Sequence, residues 1–365
     1  MLIFIVFLLL LAGAAELFSL KDRLVFVRHS LSASKTLAEP FETFDIVLET
    51  ENTGRLPLSF VEIEDMLPPE IIIEPCALQK GFSLYGEENP QLFGLRLQSS
   101  VYLLPRQRLE RRISASLPRR GRYIFRGAVL KSGDFLGFSE TVRDYRQISE
   151  IVIIPPSAPC TPEITVLGGF LGDISVRRFI MEDPVLTVGF RDYTGREPQK
   201  AISWKQSACQ GRLMVKQYDH TLEPSVTVLL NVQCGDRSAD PRLVELCFSL
   251  ARTVCETLEQ NGIKYGFMTN ATTAGAFGLW STVPEGLGRT HLSAILEGLG
   301  RATYEQTESF ENTAERAART AEHGRSHIII TPFEYEAFRN ASKRLRDKSG
   351  GEVLIISARE SGAEV

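Results

Sequence analysis

The apolar residues of this chain follow two different periods, and the change between them near residue 225 strongly constrains the fold. Across residues 43–50, large apolar residues recur at every second position, at Phe44, Ile46 and Leu48, as in a half-buried strand. Further short segments at 59–63, 108–116, 122–130 and 151–154 also read as strands and are separated by Pro and Gly clusters. Together they predict an immunoglobulin- or fibronectin-like β-sandwich over residues 21–156.

Beyond residue 225 the pattern changes to apolar runs separated by helical periods. Residues 226–230 are continuously apolar, as in a strand buried on both faces. Asp240 and Pro241 then begin a helix that Asn261 and Gly262 close. Further buried strands are predicted at 263–268, 326–330 and 353–356, and helices near 290–302, 310–322 and 334–347. This alternation predicts a doubly wound, mostly parallel α/β domain over residues 225–365. Such sheets bind ligands at the carboxyl ends of their strands.

The first residues predict the topology. Residues 1–15 are an unbroken apolar run, and a helix extended to residue 20 reaches the roughly 30 Å thickness of a bilayer core. The positive charges follow this run, at Lys21, Arg23 and Arg28. The positive-inside rule therefore predicts a single-pass anchor in the cell membrane at residues 1–20, with the soluble part facing the cytoplasm. The alternative is a cleaved signal peptide, which normally carries a positive region before its apolar stretch.

Charge and cysteine content exclude some function classes. The net charge of −4 argues against a nucleic-acid partner, because nucleic-acid binding normally requires a basic excess. The six cysteines show no C-x-x-C spacing, so they predict neither a zinc site nor a disulfide framework. We interpret them as reduced thiols.

Residues 157–224 form a connector that carries the most distinctive motif of the chain. It contains Arg191-Asp-Tyr193, then Ile202-Ser-Trp204-Lys205, and closes with Leu213-Met-Val215. This pattern resembles the core motif of the bacterial family called domain of unknown function 58. Two further stretches, residues 118–123 and 134–138, are similar to supporting motifs of that family. The resemblance spans nearly the whole chain, although Arg196 and Glu197 replace the Gly-Asp that usually follows the first motif.

The resemblance implies a membrane-associated protein with a von Willebrand factor A-like C-terminal domain. It also implies a MoxR-type AAA+ ATPase as partner, besides other proteins of the cell envelope. Domains of the A type often hold Mg²⁺ through D-x-S-x-S, a threonine and an aspartate on three loops. The corresponding positions here are Asn231, Gln233, Gly235, Thr290 and Thr331.

Both anionic ligands are therefore replaced by neutral residues. Mg²⁺ depends on anionic oxygen ligands to offset its dehydration, so the sequence predicts no metal and no other cofactor. Asp236 lies close enough in sequence to supply a substitute carboxylate.

Arg191, Tyr193, Trp204 and Lys205 are the candidate partner-binding residues. The alternative is structural: Trp204 buries its ring and Arg191 pairs with a carboxylate, which fixes the connector. Eight arginines between residues 106 and 126 also have two interpretations, a solvated sheet face or a surface attracted to anionic headgroups.

These features predict a membrane-anchored, protein-binding scaffold or adaptor, not an enzyme. The sequence contains no G-x-S-x-G, P-loop or H-E-x-x-H motif. Two alternatives stay open. One is an exported envelope protein that binds other proteins; the other is an unrecognised hydrolase, for which Cys209 and His220 are the conceivable nucleophile and base.

Overall fold

The computed structural model describes residues 24–74, 82–86, 95–133, 140–158, 167, 169–171, 189–194, 202–217, 225–234, 240–275, 280–321 and 324–361. These residues contain 21 strands and six α-helices. The chain divides into two compact units. The first is Met1–Pro156 with Leu296–Ala302, and the second is Ser157–Ile295 with Thr303–Val365.

The first unit is built from three sheets. One sheet contains, in spatial order, β1 (Val27–Ala33), β3 (Phe44–Asn52), β8 (Arg108–Ser116) and β5 (Ile72–Ile73). The second contains β11 (Glu140–Tyr145), β10 (Ala128–Gly133), β4 (Leu58–Leu67), β7 (Leu95–Leu103) and β6 (Phe82–Gly86). The third contains β2 (Leu37–Ala38), β12 (Ser149–Ile153) and β9 (Gly121–Phe125). Neighbouring strands are antiparallel except β2 and β12.

Along these strands, buried side chains alternate with more exposed ones. Phe44, Ile46 and Leu48 on β3 point into a core that also receives residues from the other two sheets. The strands predicted at 43–50 and 108–116 are confirmed as β3 and β8. The segment predicted as one strand at 122–130 is two strands, because the chain bends at Gly127. That residue has φ of 105°, and a Cβ there would lie 2.0 Å from the Tyr145 carbonyl oxygen.

A layer of polar side chains crosses the interior of this unit and separates two apolar clusters. On five strands, the inward-facing residue between the two clusters is polar: His29, Thr50, Asp65, Ser99 and Arg111. His29 bonds Asp65 Oδ1 through Nε2 at 2.8 Å and Thr50 Oγ1 through Nδ1 at 3.0 Å. Arg111 donates to Ser99 Oγ at 2.7 Å, and its guanidinium lies 4.5 Å from the centre of the Phe82 ring.

Burial shapes the electrostatics of this layer. It lowers the pKa of Arg111, while the nearby Asp65 carboxylate acts to raise that pKa. Buried charges are tolerated only when they are paired and hydrogen-bonded. The layer therefore links the two larger sheets through directional bonds, which apolar packing does not provide.

The second unit contains a five-stranded sheet with helices on both faces. Its spatial order is β18 (Thr282–Gly286), β16 (Lys264–Thr269), β15 (Ser225–Leu230), β20 (Ser326–Thr331) and β21 (Val353–Ser357). The last four are parallel to one another, and β18 is antiparallel to β16. Two smaller sheets pair β13 (Gly189–Asp192) with β14 (Met214–Gln217) and β17 (Ala271–Thr273) with β19 (Ala302–Gln306).

The described helices are α1 (Trp204–Gln210), α2 (Pro241–Gln260), α3 (Arg289–Arg301), α4 (Phe310–Thr320), α5 (Glu336–Ser349) and α6 (Ala358–Ser361). α4 and α5 pack on one face of the large sheet, over Leu229 and Ile329. Residues alternate across a strand, so Val228 and Leu230 point to the other face, where α2 packs. As predicted, Asp240 caps α2, accepting a hydrogen bond from the Arg242 amide at 2.9 Å.

The predicted fold class is wrong, although several of its strands and helices are found. Strands outnumber helices by 21 to six in the described residues, and the large sheet of the second unit is mixed. A doubly wound von Willebrand A-like assignment does not describe this strand-dominated chain. The prediction missed several strands. β18 and β19 are short and show no clear apolar alternation, whereas β1 and β7 alternate buried and exposed residues and were overlooked.

The prediction of a single-pass membrane protein is also corrected. Among the described residues, no helix has the length and apolar character that crossing a bilayer requires. α2, which has 20 residues, carries five charged side chains: Arg242, Glu245, Arg252, Glu256 and Glu259. The predicted anchor at residues 1–20 lies outside the described residues.

Replacing Asp65 tests the polar layer. Asp65→Val leaves the buried His29 and the half-buried Arg111 without a neighbouring carboxylate, so we expect the free energy of unfolding to fall by about 3 kcal/mol. The double variant His29→Leu/Asp65→Val should recover part of this loss because it removes both members of the pair. Urea denaturation measures both. A single variant as stable as the wild type would contradict a structural role for the layer.

His327 on β20 predicts a pH dependence for the second unit. Its ring is fully buried, and neither ring nitrogen has a hydrogen-bond partner among the described residues. Burial, aided by the positive charge of Arg325, lowers the pKa of His327 from 6.5 to about 4. The unfolded chain therefore binds more protons between these values, and stability is lost as the pH falls through this window.

Between about pH 7.5 and pH 5 this linkage amounts to roughly 2 kcal/mol. Urea denaturation at the two pH values should show that difference in the wild type, and a smaller one in His327→Leu. An equal pH dependence in both proteins would exclude His327 as its source.

Candidate functional site

The carboxyl ends of β15, β16 and β20 carry polar residues that meet in a buried cluster. Asn231 and Asn270 directly follow β15 and β16, and Thr331 ends β20; all three are buried. Asn231 Nδ2 donates to Thr331 Oγ1 at 3.0 Å, and Asn270 Nδ2 donates to Asn231 Oδ1 at 2.8 Å. Thr331 Oγ1 donates in turn to the Phe333 carbonyl oxygen at 3.1 Å.

Backbone groups complete this cluster. The Gln233 amide donates to Asn231 Oδ1 at 2.9 Å, and the Val232 amide donates to Asn270 Oδ1 at 2.9 Å. The side chain of Gln233 accepts from the Phe310 amide at 2.9 Å and so caps the start of α4. The amides of the two asparagines are thus engaged in shaping the loops, which is a structural role.

The cluster does not fit a hard divalent cation. Asn231, Gln233 and Thr331 bring no negative charge, and Mg²⁺ depends on anionic oxygens. Thr290 lies exposed in the first turn of α3, and no hydrogen bond between described residues joins it to Asn231 or Thr331. Gly235 and Asp236 lie outside the described residues. Asn270 is absent from the predicted site; its only sequence signal is a polar residue directly after a buried strand.

The connector motif forms a small α/β module within the second unit. β13 and β14 pair so that Arg191 lies opposite Val215, and the Tyr193 amide donates to the Leu213 carbonyl oxygen at 2.9 Å. Between the strands lies α1, and Gly211, with φ of 66°, caps its C-terminal end. The motif residues thus gather in one hairpin and one helix.

Hydrogen bonds of Ser203 and Ser207 fix α1 on β14. The Ser203 amide donates to the Met214 carbonyl oxygen at 2.8 Å. Ser207 Oγ donates to the Ser203 carbonyl oxygen at 2.8 Å and accepts from the Met214 amide at 2.8 Å. Both serines are buried, and so are the apolar side chains of Ile202, Met214 and Val215 in the same module.

Trp204 projects from this module into solvent. Its side chain is 67% exposed, so the structural interpretation in which its ring is buried is wrong. Lys205, the next residue, is also exposed, whereas Tyr193 is half-buried. For Arg191 the structure describes the backbone only. Phe190 and Leu213 of the same hairpin are 38% and 44% exposed. The module therefore has several apolar residues at its surface.

The arginine cluster between residues 106 and 126 is not a single basic face. Four of its members form ion pairs: Arg108 with Glu49, Arg112 with Glu110, Arg119 with Glu70, and Arg122 with Glu150. Arg111 belongs to the interior polar layer. Half of the eight arginines of this stretch are therefore paired with carboxylates.

The thiols give little support to a hydrolase. Cys247 and Cys255 are buried on α2, and burial raises their pKa. Cys209 is exposed on α1, and its conceivable partner His220 lies outside the described residues. Among the described residues, no group of three or more His, Cys, Asp or Glu side chains is placed to hold a metal ion.

Comparisons with known proteins identify no family. No protein-family model matches the chain, and no curated protein matches it. A cohesin from Pseudobacteroides cellulosolvens is 11% identical with a TM-score of 0.24, over 36% of this chain and 94% of that one. A CARDB domain from Pyrococcus furiosus is 8% identical with a TM-score of 0.22, over 35% and 90%. A GH20 exo-β-N-acetylglucosaminidase from Vibrio harveyi is 14% identical with a TM-score of 0.24, over 37% of this chain and only 20% of that one. Likenesses this weak support no inference about function.

Asn231→Asp tests the structural role of the amide cluster. The carboxylate keeps the two accepted bonds but loses the donation to Thr331, and it places a charge at a fully buried position. We expect the free energy of unfolding to fall by about 3 kcal/mol. The same change at the exposed Asn312 on α4 is the control and should cost little. A variant as stable as the wild type would contradict the structural role of the cluster, and stabilisation of the wild-type chain by millimolar Mg²⁺ would contradict our interpretation that the neutral cluster does not fit a cation.

Proposed function

We propose that this chain is a protein-binding adaptor whose docking surface is the connector module, with Trp204 as its central contact. The observation that carries the proposal is the 67% exposure of this tryptophan on a helix whose backbone is fixed by buried hydrogen bonds. Tryptophan is highly buried on average in folded proteins. Tryptophan is also one of the residue types enriched among those that contribute most to the binding energy of protein interfaces.

The module that carries Trp204 has further features of an interface. Phe190 and Leu213 are two more exposed apolar side chains of its hairpin. Lys205 and the Asp192–Arg212 ion pair, with atoms 3.0 Å apart, supply polar groups around them. An apolar centre with a polar margin is the usual composition of a protein interface. Because α1 is already ordered, binding would cost little conformational entropy.

The proposed partner is a MoxR-type AAA+ ATPase. This part of the proposal rests on the resemblance of the Arg191–Tyr193 and Ile202–Lys205 motifs to the domain-of-unknown-function-58 family. The adaptor would present the module to the ATPase or to its client.

Binding of the purified full-length chain to the purified ATPase of the same organism tests both parts. Trp204→Ala should raise the dissociation constant about 30-fold, as expected for loss of a central interface residue. Tyr102→Ala is the matched control, because Tyr102 is an exposed aromatic residue on β7 of the first unit. Both substitutions affect exposed side chains, so thermal denaturation should show little change in either.

The possible outcomes separate the surface from the partner. If both variants weakened binding to the ATPase equally, or if neither weakened it, Trp204 would be excluded as the contact. Failure of the wild-type chain to bind the ATPase would refute the partner and leave the module to be tested against others.

A further inference from the structure

Three turns meet at the end of the first unit where β3 finishes, and each one exposes apolar side chains. Val25 and Phe26 lie in the short helical turn before β1, Leu56 follows β3, and Leu104 lies between β7 and β8. Their exposed fractions lie between 47% and 54%. We refer to these four residues as the apolar pole. Single exposed apolar residues are common, but four on adjoining turns form a patch that indicates an interaction surface.

Asn52 holds the turns of the apolar pole together. Its side chain is buried, and its Nδ2 donates to the carbonyl oxygens of Leu56 at 2.9 Å and Leu104 at 3.1 Å. Its Oδ1 accepts from the Gly54 amide at 2.9 Å. Thr53 connects the remaining turn, because its amide and hydroxyl donate to the Phe26 carbonyl oxygen at 2.8 and 2.7 Å. The apolar side chains therefore project from a fixed backbone.

Positive charge accompanies the apolar pole. Arg55 precedes Leu56, Arg106 shares a turn with Leu104, and Arg28 follows Val27 at the start of β1. All three are exposed. Arg28 lies opposite Glu51 in the register of β1 and β3, whereas Arg55 and Arg106 lie on turns and form no ion pair with another described residue. The turn segments 53–57 and 104–107 contain no Asp or Glu. Arg55 and Arg106 differ from Arg108, Arg112, Arg119 and Arg122, which are paired with carboxylates.

We propose that the apolar pole docks peripherally on an anionic lipid surface. Its four apolar side chains enter the boundary between headgroups and acyl chains, and Arg55 and Arg106 contact lipid phosphates. The turns at residues 53–57 and 104–107 combine apolar side chains with these two cations and contain no carboxylate, which matches an apolar layer beneath an anionic one. The docking needs no membrane-spanning helix, and it involves a surface separate from the connector module.

A polarity-sensitive fluorophore placed on the pole tests this proposal in the full-length chain. We replace Cys76, Cys160 and Cys209 with serine and label Leu56→Cys with a nitrobenzoxadiazole group. Phe41→Cys is the matched control, since Phe41 is 66% exposed in the turn before β3, at the opposite end of that strand. Vesicles of phosphatidylcholine with and without phosphatidylglycerol are the probe. A label at residue 56 reports the pole and not the apolar run at residues 1–15.

We expect the label at residue 56 to brighten and shift to shorter wavelength with phosphatidylglycerol vesicles, and the label at residue 41 to stay unchanged. Adding Leu104→Asp should weaken the partition measured at residue 56 about tenfold, because one apolar group is lost and a like charge faces the lipid. Molar salt should remove most of the dependence on phosphatidylglycerol.

Other outcomes would overturn the proposal. An unchanged label at residue 56, or equal changes at residues 56 and 41, would show that the pole does not contact lipid. An equal response to vesicles without phosphatidylglycerol would exclude the role of the arginines. An unaltered response in Leu104→Asp that still folds, as checked by circular dichroism, would exclude the apolar contact.

Discussion

A polar group that leaves water loses free energy unless it finds a hydrogen-bond partner inside the protein, and this cost organises much of the described structure, with His327 as an exception. In the first unit, the bond between His29 and Asp65 crosses from one sheet to the other. In the second, Asn231 joins three strand ends. Ser207 fixes the connector helix, and Asn52 fixes the turns of the apolar pole. Each of these side chains sets the position of backbone that apolar packing alone would leave free to shift.

The same requirement explains why surface residues of this chain can be presented rigidly. Trp204 and Leu56 each project from backbone that a buried polar side chain fixes by hydrogen bonds. This side chain is Ser207 for Trp204 and Asn52 for Leu56. A surface ordered in this way loses little entropy when it binds a partner. The two proposed contacts, one for a protein and one for a lipid surface, thus share one construction principle but lie on different units.

The carboxyl ends of the strands in the second unit, a common place for ligand sites, have a structural role in this protein. Sheets with parallel strands place ligands at this edge, but here the amides of Asn231 and Asn270 bond each other and the adjoining loops. Neutral groups that satisfy one another have little capacity left for a cation. The edge therefore supports the loops that follow β15 and β16, and the candidate binding surface lies instead on the connector module.

The sequence by itself determined those elements whose burial repeats regularly along the chain. β3, β8, β15 and β20 were predictable because apolar alternation or continuous apolar runs report burial directly. The cap of α2 was predictable because Asp240 acts on its own helix terminus. The motif also indicated Trp204 and Lys205, but not whether they face solvent.

Tertiary structure alone decided the remaining features, because they depend on residues far apart in the chain. His29 and Asp65 are 36 positions apart, and Asn231 and Thr331 are 100 positions apart. The short strands β13 and β18 are held by their partners, with little apolar pattern of their own. The exposure of Trp204 follows from where Ser207 fastens α1 to β14. Local sequence patterns record which residues favour burial, while long-range hydrogen bonds and packing decide which residues are buried.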